Sequence, residues 1–202
     1  AAMASGAKQA GKNCLVAMKS MGLHVASDAL SVGNFANPGP GDTGTVIVVG
    51  DDPWSMSTST PADSRYLFKH LHIPFLEPST PEELKQWMKE ALAISKETSV
   101  YQGLLLTTFM AEGGGRVSIE DSAKIDKGLL NVDPASFDLR QNVMVPPNSL
   151  HADARMIKER FPRIIKALES RDLDVILGTT SSEVGLISSG VIYETVKQIV
   201  ED

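Results

Sequence analysis

Four short runs of consecutive apolar residues follow one another along the first half of the chain. They occupy residues 14–18, 45–50, 73–76 and 103–107. Continuous apolar runs, without polar residues at alternate positions, are typical of strands that are covered on both faces. The runs recur about every 30 residues, which is the length of one strand with its crossover helix and connections. The spacing therefore predicts βαβ units and a parallel sheet.

Helical patterns fill the intervals between these strands. Residues 1–10 have the composition of a helix body, and residues 60–63 and 80–83 each place Thr, Pro and an acidic residue as the first turn of a helix does. The second start leads into an apolar stripe at helical spacing, formed by Leu84, Trp87, Met88, Ala91 and Leu92. Residues 1–117 are therefore predicted to be a doubly wound α/β domain, with a mainly parallel sheet, that lacks its beginning.

A long connector is predicted over residues 118–149, where the periodicity fades and Pro146-Pro147 interrupts any regular element. The helix that follows is amphipathic, and Pro162 predicts a kink in it. Its apolar face is formed by Leu150, Ala154, Ile157, Phe161, Ile164, Ile165 and Leu168. Its opposite, basic face, which we expect to be solvated, is formed by Arg155, Lys158, Arg160, Arg163 and Lys166. Residues 118–172 are assigned to a linker and this amphipathic helix.

The α/β pattern restarts near the end of the chain. Residues 184–187 are predicted to form a strand, residues 188–190 a turn and residues 191–200 a helix. Residues 173–202 are therefore predicted to be the start of a second α/β domain. Both ends of the chain fall inside predicted helices that lack capping residues, so we expect the chain to be a piece of a longer polypeptide.

Composition narrows the class of protein. The chain has 202 residues, of which 42% are hydrophobic and 22% are charged, and its net charge is −6. These values are typical of a globular protein, and the acidic excess argues against binding of nucleic acid through its phosphates. No apolar run approaches the roughly 18 residues that cross a bilayer, so we expect no membrane partner and a cytoplasmic location. Cys14 is the only cysteine, which excludes an internal disulfide or a cysteine-rich metal cluster within the chain.

Three further motifs have weaker functional interpretations. Residues 39–44 match the letters of a dinucleotide-binding loop but precede a strand, whereas such a loop must follow one. The segment Gly113-Gly114-Gly115-Arg116, after the fourth strand, is either an anion-holding loop or a mobile turn. His70 and His72 lack a third ligand at suitable spacing, so no metal site is predicted.

Polar residues follow the first two predicted strands at their carboxyl ends. Lys19, His24 and Asp28 come after the first strand, and Asp51 and Asp52 come after the second. Open parallel sheets bind ligands at the carboxyl ends of their strands, so these side chains are candidates for a binding site. The alternative is a capped surface loop whose carboxylates are solvated.

These segments and others in the same order resemble the 2-oxoacid:ferredoxin oxidoreductases that depend on thiamine diphosphate, and among them the alpha subunit of indolepyruvate:ferredoxin oxidoreductase. The matching motifs are Met18-Lys19, Gly22-Leu23, Val25-Ala26, Asp28, Asp51-Asp52-Pro53, Asp63-Ser64-Arg65, residues 73–78, Leu106-Thr107-Thr108, Val145-Pro146 with Asn148, and residues 185–190. The chain departs from the family pattern at His24, where the family has Asn, at Phe109, where it has Arg, and over residues 57–62. These departures leave open whether the substrate is an aryl pyruvate or another 2-oxoacid.

The resemblance implies a fold like the pyrimidine-binding domain of thiamine-diphosphate enzymes. It also implies an oxidoreductase that decarboxylates a 2-oxoacid, an aryl pyruvate such as indolepyruvate, to an acyl-CoA with ferredoxin as acceptor. The complete enzyme would use thiamine diphosphate and Mg²⁺ and carry iron–sulfur clusters on segments that this chain lacks. It would also have a partner subunit and form a homo-oligomer. The catalytic glutamate is expected upstream of Ala1, so this chain alone is predicted to contain no catalytic residue and to be inactive.

The residues predicted to line the cofactor or substrate pocket are Lys19, Gly22, His24, Asp51 and Asp52. From its position at a strand end, Lys19 is expected to pair with the substrate carboxylate, and His24 to hydrogen-bond the keto oxygen or to transfer a proton. Two other functions remain open. One is a non-catalytic α/β domain for assembly or regulation, and the other is a subunit of a non-oxidative thiamine-dependent 2-oxoacid decarboxylase.

Overall fold

The computed structural model describes residues 1–36, 42–119, 143–178, 181 and 183–201. Strands and helices alternate through the first part as α1 (Ala2–Gln9), β1 (Cys14–Lys19), α2 (Ser20–Phe35), β2 (Thr45–Asp51), α3 (Arg65–His70), β3 (Phe75–Leu76), α4 (Pro81–Thr98), β4 (Gln102–Thr107) and α5 (Thr108–Glu112). The later elements are α6 (Asn148–Arg155), a π-helical turn (Met156–Arg160), α7 (Phe161–Glu169) and α8 (Val191–Glu201). Among the described residues, no helix is both long enough and apolar enough to cross a bilayer.

The four strands form one parallel sheet in the order β1-β2-β4-β3. All four strands predicted from the apolar runs are confirmed, and the third is the shortest, with two residues. In the register of the sheet, Lys19 lies beside Gly50, and Asp51 lies beside Thr107. The carboxyl ends of β1, β2 and β4 are therefore level with one another, and the predicted α/β class is confirmed.

Helices pack on both faces of the central strands, whereas β1, predicted to be covered on both faces, exposes alternate residues, with Leu15 56% exposed. One core cluster joins α2 and α3 to the central strands and contains Leu23, Leu30, Ile47, Val49, Phe68, Leu71 and Leu105. A second cluster joins α4 and α7 to the opposite face and contains Val46, Leu76, Ala91, Ile94, Leu104 and Ala167. Each large apolar side chain that is fully buried contributes about 1.5–3 kcal/mol. The α7 helix, which follows the predicted linker, thus packs onto the α/β unit, while the domain boundaries stay a prediction.

The start of α4 forms as the sequence predicts, and the start predicted at residues 60–63 is wrong. Thr80 Oγ1 accepts a hydrogen bond from the N–H of Glu83 at 3.2 Å, and Pro81 occupies the first helical position. By contrast, α3 begins only at Arg65.

Contacts with the end of β2 prevent α3 from starting at residues 60–63, where the local sequence pattern predicts its first turn. The Asp51 carboxylate accepts hydrogen bonds from both the N–H and the Oγ–H of Ser64, the residue before the helix. The N–H of Ala62 donates to the carbonyl oxygen of Asp52 at 3.1 Å. These bonds hold residues 60–63 outside the helix, so the first turn forms after Ser64.

The apolar face predicted for the helical segment from α6 to α7 is confirmed only in part. Leu150, Ile157 and Ile165, predicted to face the core, are 67%, 49% and 57% exposed. Arg160, predicted to lie on the solvated basic face, is only 4% exposed. The π-helical turn shifts the phase of the helix, and it lies directly before Pro162, whose missing N–H interrupts the helical hydrogen bonds. The buried residues are Ala152, Met156, Arg160, Ile164 and Ala167. Of these, Ile164 was predicted to face the core, and the predicted Phe161 and Leu168 pack against the same cluster as Ile164.

Arg160 is buried because it completes the C-terminal end of α2. Its guanidinium donates hydrogen bonds of 2.9–3.4 Å to the carbonyl oxygens of Asn34, Phe35 and Ala36. The ammonium of Lys8, on α1, donates hydrogen bonds of 3.1–3.3 Å to carbonyls in the same turn. The last carbonyls of a helix lack partners within the helix and attract cations. Two buried cations therefore join α1 and the π-helical turn to the end of α2.

The buried Lys8 is expected to make the stability of the chain depend on pH. Burial, and then the nearby charge of Arg160, holds the pKa of Lys8 well below its ordinary value of 10.5. Between the two values the folded chain binds fewer protons than the unfolded chain, so the free energy of unfolding should rise with pH. Urea titrations at increasing pH, up to about pH 10, should show this rise, and Lys8→Met should reduce its slope.

Lys12→Met is the matched control, because Lys12 is exposed. It should keep the slope of the wild-type chain. Burial raises the pKa of Tyr101 to about 12, so this phenol lowers stability only above about pH 10, outside the range of the titration. A Lys8→Met slope equal to the wild-type slope would contradict the predicted role of Lys8.

The strand predicted over residues 184–187 is not formed, so that prediction is wrong. A strand needs a neighbour with which to pair, and the described part of the chain places none beside this segment. Val184, Leu186 and Ile187 are exposed there. The helix predicted after it is confirmed as α8, and the turn before α8 is held by a 3.0 Å hydrogen bond from Ser189 Oγ to Glu77 Oε2.

Candidate functional site

The carboxyl ends of β1, β2 and β4 lie side by side at one edge of the sheet, which we call the carboxyl edge. Lys19 ends β1, and Asp51 ends β2 with Asp52 next to it. Thr107 ends β4, and Thr108 follows it. The fold thus brings together three of the five predicted pocket residues from two separate segments of the sequence.

Asp51 is buried and holds the start of α3. Its Oδ2 accepts a hydrogen bond from the N–H of Ser64 at 2.8 Å, and its Oδ1 accepts one from Ser64 Oγ at 3.0 Å. Burial raises the pKa of Asp51, and the two bonds from Ser64 oppose that shift. Both carboxylate oxygens accept hydrogen bonds from Ser64, so Asp51 holds the backbone just before α3 in place.

Asp52 is buried as well, and five hydrogen bonds converge on its carboxylate. Oδ1 accepts from the N–H of Met56 at 2.9 Å and from Thr108 Oγ1 at 3.0 Å. Oδ2 accepts from the N–H groups of Ser57 and Thr58 at 2.7 and 2.8 Å, and from Thr58 Oγ1 at 2.9 Å. Burial acts to raise the pKa of Asp52, but these bonds outweigh it and hold the pKa well below its usual range. The alternative of solvated carboxylates is therefore wrong for both aspartates.

Lys19 connects the end of β1 to the segment after β2. Its Nζ donates to Ser57 Oγ at 2.7 Å and to the carbonyl oxygen of Ser57 at 3.3 Å. The side chain is exposed, so the ammonium is accessible from solvent while Ser57 holds it in place. This is the arrangement that a carboxylate-binding lysine requires.

The other two predicted pocket residues lie on α2. Gly22 is close to the end of β1: a Cβ added to it would lie 2.9 Å from Met18 Cβ, so a side chain here would push α2 away from the strand. His24 is exposed, and its carbonyl oxygen accepts a hydrogen bond from Ser27 Oγ at 2.9 Å. The contacts that join Lys19 to Asp52 do not include either residue.

The structure adds functional candidates that the sequence did not single out. Ser57 and Thr108 complete the hydrogen bonds at the carboxyl edge. The sequence feature that could have indicated them is a hydroxyl group soon after each of two neighbouring strands. Trp54 and Phe109 pack edge to face with 4.9 Å between ring centroids and 69° between planes. They are 47% and 54% exposed, so an aromatic surface lies at the same edge.

The glycine segment after β4 lies against the start of α4. A Cβ added to Gly115 would lie 2.8 Å from Pro81 Cγ, and the N–H of Ser118 donates to Glu82 Oε2 at 2.8 Å. These contacts are to a proline ring and a carboxylate, and they give the anion-holding interpretation no support. Half of the other glycine motif, residues 39–41 of 39–44, lies outside the described residues.

Comparison with known proteins identifies relatives of the chain. No family model matches it, and no solved structure gives a significant match. It is 31% identical to the indolepyruvate oxidoreductase subunit IorA of Thermococcus kodakarensis over 195 residues, which are 93% of this chain and 29% of the relative. The chain is a relative of IorA. The IorA subunits of Methanothermobacter marburgensis and Archaeoglobus fulgidus are 29% and 28% identical to it, over 93% and 99% of this chain and 29% and 31% of their own lengths.

The relationship to IorA confirms the resemblance predicted from the sequence motifs. The relatives are by name subunits of an oxidoreductase, so the chain is related to oxidoreductase subunits. The chain spans between 29% and 31% of the length of these IorA proteins.

The resemblance implies thiamine diphosphate, Mg²⁺ and iron–sulfur clusters in the complete enzyme, and the described residues do not fit the metal-containing groups. Within the described ranges, no group of three or more His, Cys, Asp or Glu side chains is placed to hold a metal ion. Internal donors already fill the oxygens of Asp51 and Asp52, and Cys14 alone cannot ligate a cluster that needs about four thiolates.

Proposed function

We propose that the chain is part of a subunit of a thiamine-diphosphate-dependent 2-oxoacid:ferredoxin oxidoreductase. The assembly would convert a 2-oxoacid anion and CoA into an acyl-CoA, CO₂, a proton and two electrons, and ferredoxin would accept the electrons. The observation that carries the proposal is an exposed lysine amine, fixed at the carboxyl edge, in a chain that matches IorA over at least 93% of its length. The other segments of the assembly, including a partner subunit, would supply the cofactors.

Lys19 is the residue that we assign to the substrate carboxylate. Ser57 holds its ammonium on one side, and the exposed remainder is available to a ligand. A hydrogen bond between an ammonium and a carboxylate is roughly twice as strong as one between neutral groups. We assign His24, exposed on α2, to the keto oxygen or to proton transfer, because an imidazole both donates and accepts protons. Gly22 lets α2 start close to the strand that ends at Lys19.

The aromatic surface at the carboxyl edge supports an aryl pyruvate, such as indolepyruvate, as the substrate. Trp54 and Phe109 present exposed ring faces and edges on which a flat apolar group can pack. Phe109 stands where the family has Arg, so this departure adds apolar surface to the edge that carries Lys19. The two features together suit a substrate with a carboxylate at one end and an aromatic ring at the other.

Trp54→Ala is expected to reduce kcat/KM for indolepyruvate about 3- to 10-fold more than kcat/KM for pyruvate. An aromatic pair contributes about 0.5–1.5 kcal/mol. Pyruvate has no ring with which to form such a pair, so only indolepyruvate loses this contact. Steady-state kinetics of the assembled enzyme with both substrates would measure the ratio. Tyr66→Ala is the control, since Tyr66 is an exposed ring on α3. Equal losses for the two substrates would contradict the assignment.

An exposed apolar face on α6 and α7 supports a subunit contact. Leu150 in α6, Ile157 in the π-helical turn and Ile165 in α7 are about half exposed or more. Groups of exposed large apolar side chains mark surfaces at which proteins associate. We assign this face to a subunit interface in the oligomeric assembly.

Turnover by the assembled enzyme tests the proposed function. The full-length protein is expressed with its partner subunit and assayed against a panel of 2-oxoacids, with CoA and a viologen dye as electron acceptor. Dye reduction that depends on both the 2-oxoacid and CoA would support the proposal. Decarboxylation without an acceptor would identify the non-oxidative decarboxylase, and a stable assembly without turnover would identify the assembly or regulatory domain.

A further inference from the structure

One buried carboxylate joins the ends of three strands. Lys19, at the end of β1, donates to Ser57 Oγ at 2.7 Å, and the N–H of Ser57 donates to Asp52 Oδ2 at 2.7 Å. On the other side, Thr108 Oγ1, just after β4, donates to Asp52 Oδ1 at 3.0 Å. Asp52 itself follows β2. A series of hydrogen bonds therefore links the Lys19 amine to the carboxyl ends of β2 and β4.

We propose that Asp52 is a positioning residue that fixes residues 53–60 and, through Ser57, sets the location and reactivity of the Lys19 amine. The proposal rests on the proposed function only for the role given to Lys19 in substrate binding. Its neighbour Asp51 serves a separate purpose, because both oxygens of Asp51 bond to Ser64.

The hydrogen bonds of Asp52 leave it little capacity for a ligand. A carboxylate has about four acceptor positions, and five donors already share them. The side chain is 3% exposed, so a ligand would have to displace these donors to reach it. Because the same bonds hold its pKa well below the usual range, the carboxylate stays ionised and its acceptor capacity is constant near neutral pH.

The segment after β2 depends on this carboxylate for its shape. Residues 53–60 form no helix or strand, and Trp54 and Met56 within them are exposed, so apolar burial does little to hold the segment. The N–H groups of three successive residues, 56–58, all point to Asp52. Without an acceptor, these donors would turn to water and the segment would change conformation. Ser57 would then leave its place beside Lys19.

Small substitutions of Thr108 test the hydrogen-bond series from its other end, the end opposite Lys19. Its hydroxyl donates to Asp52 Oδ1 and also lies 3.2 Å from the carbonyl oxygen of Asp51. Thr108→Val removes the hydroxyl at almost constant volume, and Thr108→Ser restores it. Neither substitution touches Lys19 or Ser57, so an effect at Lys19 would be transmitted from the end of β2, where the hydroxyl contacts Asp52 Oδ1 and the Asp51 carbonyl oxygen.

The test measures acylation of Lys19 by an N-hydroxysuccinimide ester in the full-length protein, with peptide mass spectrometry as the readout. The rate is divided by that of Lys12, which is exposed before β1. Asp52→Asn, Ser57→Ala and Thr108→Val should each raise this ratio by on the order of 3-fold, because the amine loses a hydrogen bond that restrains it. Thr108→Ser should restore the wild-type ratio. Ser59→Ala, the same change at an exposed serine of the segment, should leave the ratio unchanged.

Each outcome decides the proposal. An increase in Ser57→Ala without one in Asp52→Asn and Thr108→Val would overturn it, and so would an unchanged ratio in all three. If Asp52→Asn fails to fold by near-UV circular dichroism, the Thr108→Val and Thr108→Ser pair decides. In turnover assays, Thr108→Val should lower kcat/KM in the wild-type background and have no effect in the Lys19→Ala background, which a general loss of stability would not produce. If no variant turns over at all, the proposed function fails, whereas the acylation result still stands.

Discussion

Replacing Lys19 with Ala should lower kcat/KM for 2-oxoacids by about 10- to 100-fold in the assembled enzyme. The substitution removes the exposed ammonium that we assign to the substrate carboxylate. Hydrogen bonds to charged groups contribute about 1.5–3 kcal/mol, and each 1.4 kcal/mol corresponds to a factor of about ten. The carboxylate is present from the moment the substrate binds, so steady-state kinetics should show the loss chiefly as a higher KM.

Two further variants distinguish a loss of substrate binding at Lys19 from a general loss of activity. Lys12→Ala removes the same type of side chain at the opposite end of β1 and should leave the kinetics unchanged. Lys19→Arg keeps the positive charge and should recover part of the loss, although the guanidinium has a different shape. Unchanged kinetics in Lys19→Ala, or an equal loss in Lys12→Ala, would contradict the assigned role.

Replacing Arg160 with Met should lower the free energy of unfolding by about 2–4 kcal/mol. The methionine keeps much of the apolar volume but removes the charged donors that satisfy the last carbonyls of α2. Buried acceptors that lose a charged donor account for a cost of this size. Urea denaturation should show a lower midpoint with an unchanged slope, because the surface exposed on unfolding is the same.

Arg163→Met is the matched control for this stability prediction. Arg163 is half exposed in the first turn of α7 and forms a 3.4 Å ion pair with Glu159 on the surface. Exposed pairs of this kind contribute little, so the control should change stability by less than about 1 kcal/mol. Similar losses in the two variants would show that Arg160 does not have the capping role that its contacts indicate.

The sheet could be predicted from the sequence because its information is local. An uninterrupted apolar run identifies a strand covered on both faces, and the spacing of the runs identifies the crossover helices. The carboxyl edge followed from the same pattern, since parallel strands place their ends together. Lys19, Asp51 and Asp52 were found in this way.

The features that the sequence did not predict depend on residues that are distant along the chain. Asp51 supplies the hydrogen bonds that delay α3 to Arg65, and a local start signal does not reveal them. Arg160 is buried because α2 ends opposite it, so its charge alone wrongly predicted a solvated position. The segment over 184–187 has the composition of a strand, but composition does not supply the partner strand that pairing requires.

The roles of the two aspartates were also beyond the sequence pattern. Adjacent carboxylates after a strand are equally typical of ligand binding and of loop closure. The difference lies in where the backbone N–H groups of residues 56–58 point, and all three point to Asp52. Only the three-dimensional arrangement shows that this carboxylate holds the segment that holds Lys19.

Ferredoxin reduction by the full-length protein assembled with its partner subunit is the measurement that tests the central claim most directly. With indolepyruvate and CoA both present, we expect reduction of ferredoxin together with formation of one acyl-CoA and one CO₂ for every two electrons. Omitting either CoA or the 2-oxoacid should abolish it, and Lys19→Ala should slow it at low substrate concentration. Absence of ferredoxin reduction with every 2-oxoacid tested, or reduction that proceeds without a 2-oxoacid, would contradict the account.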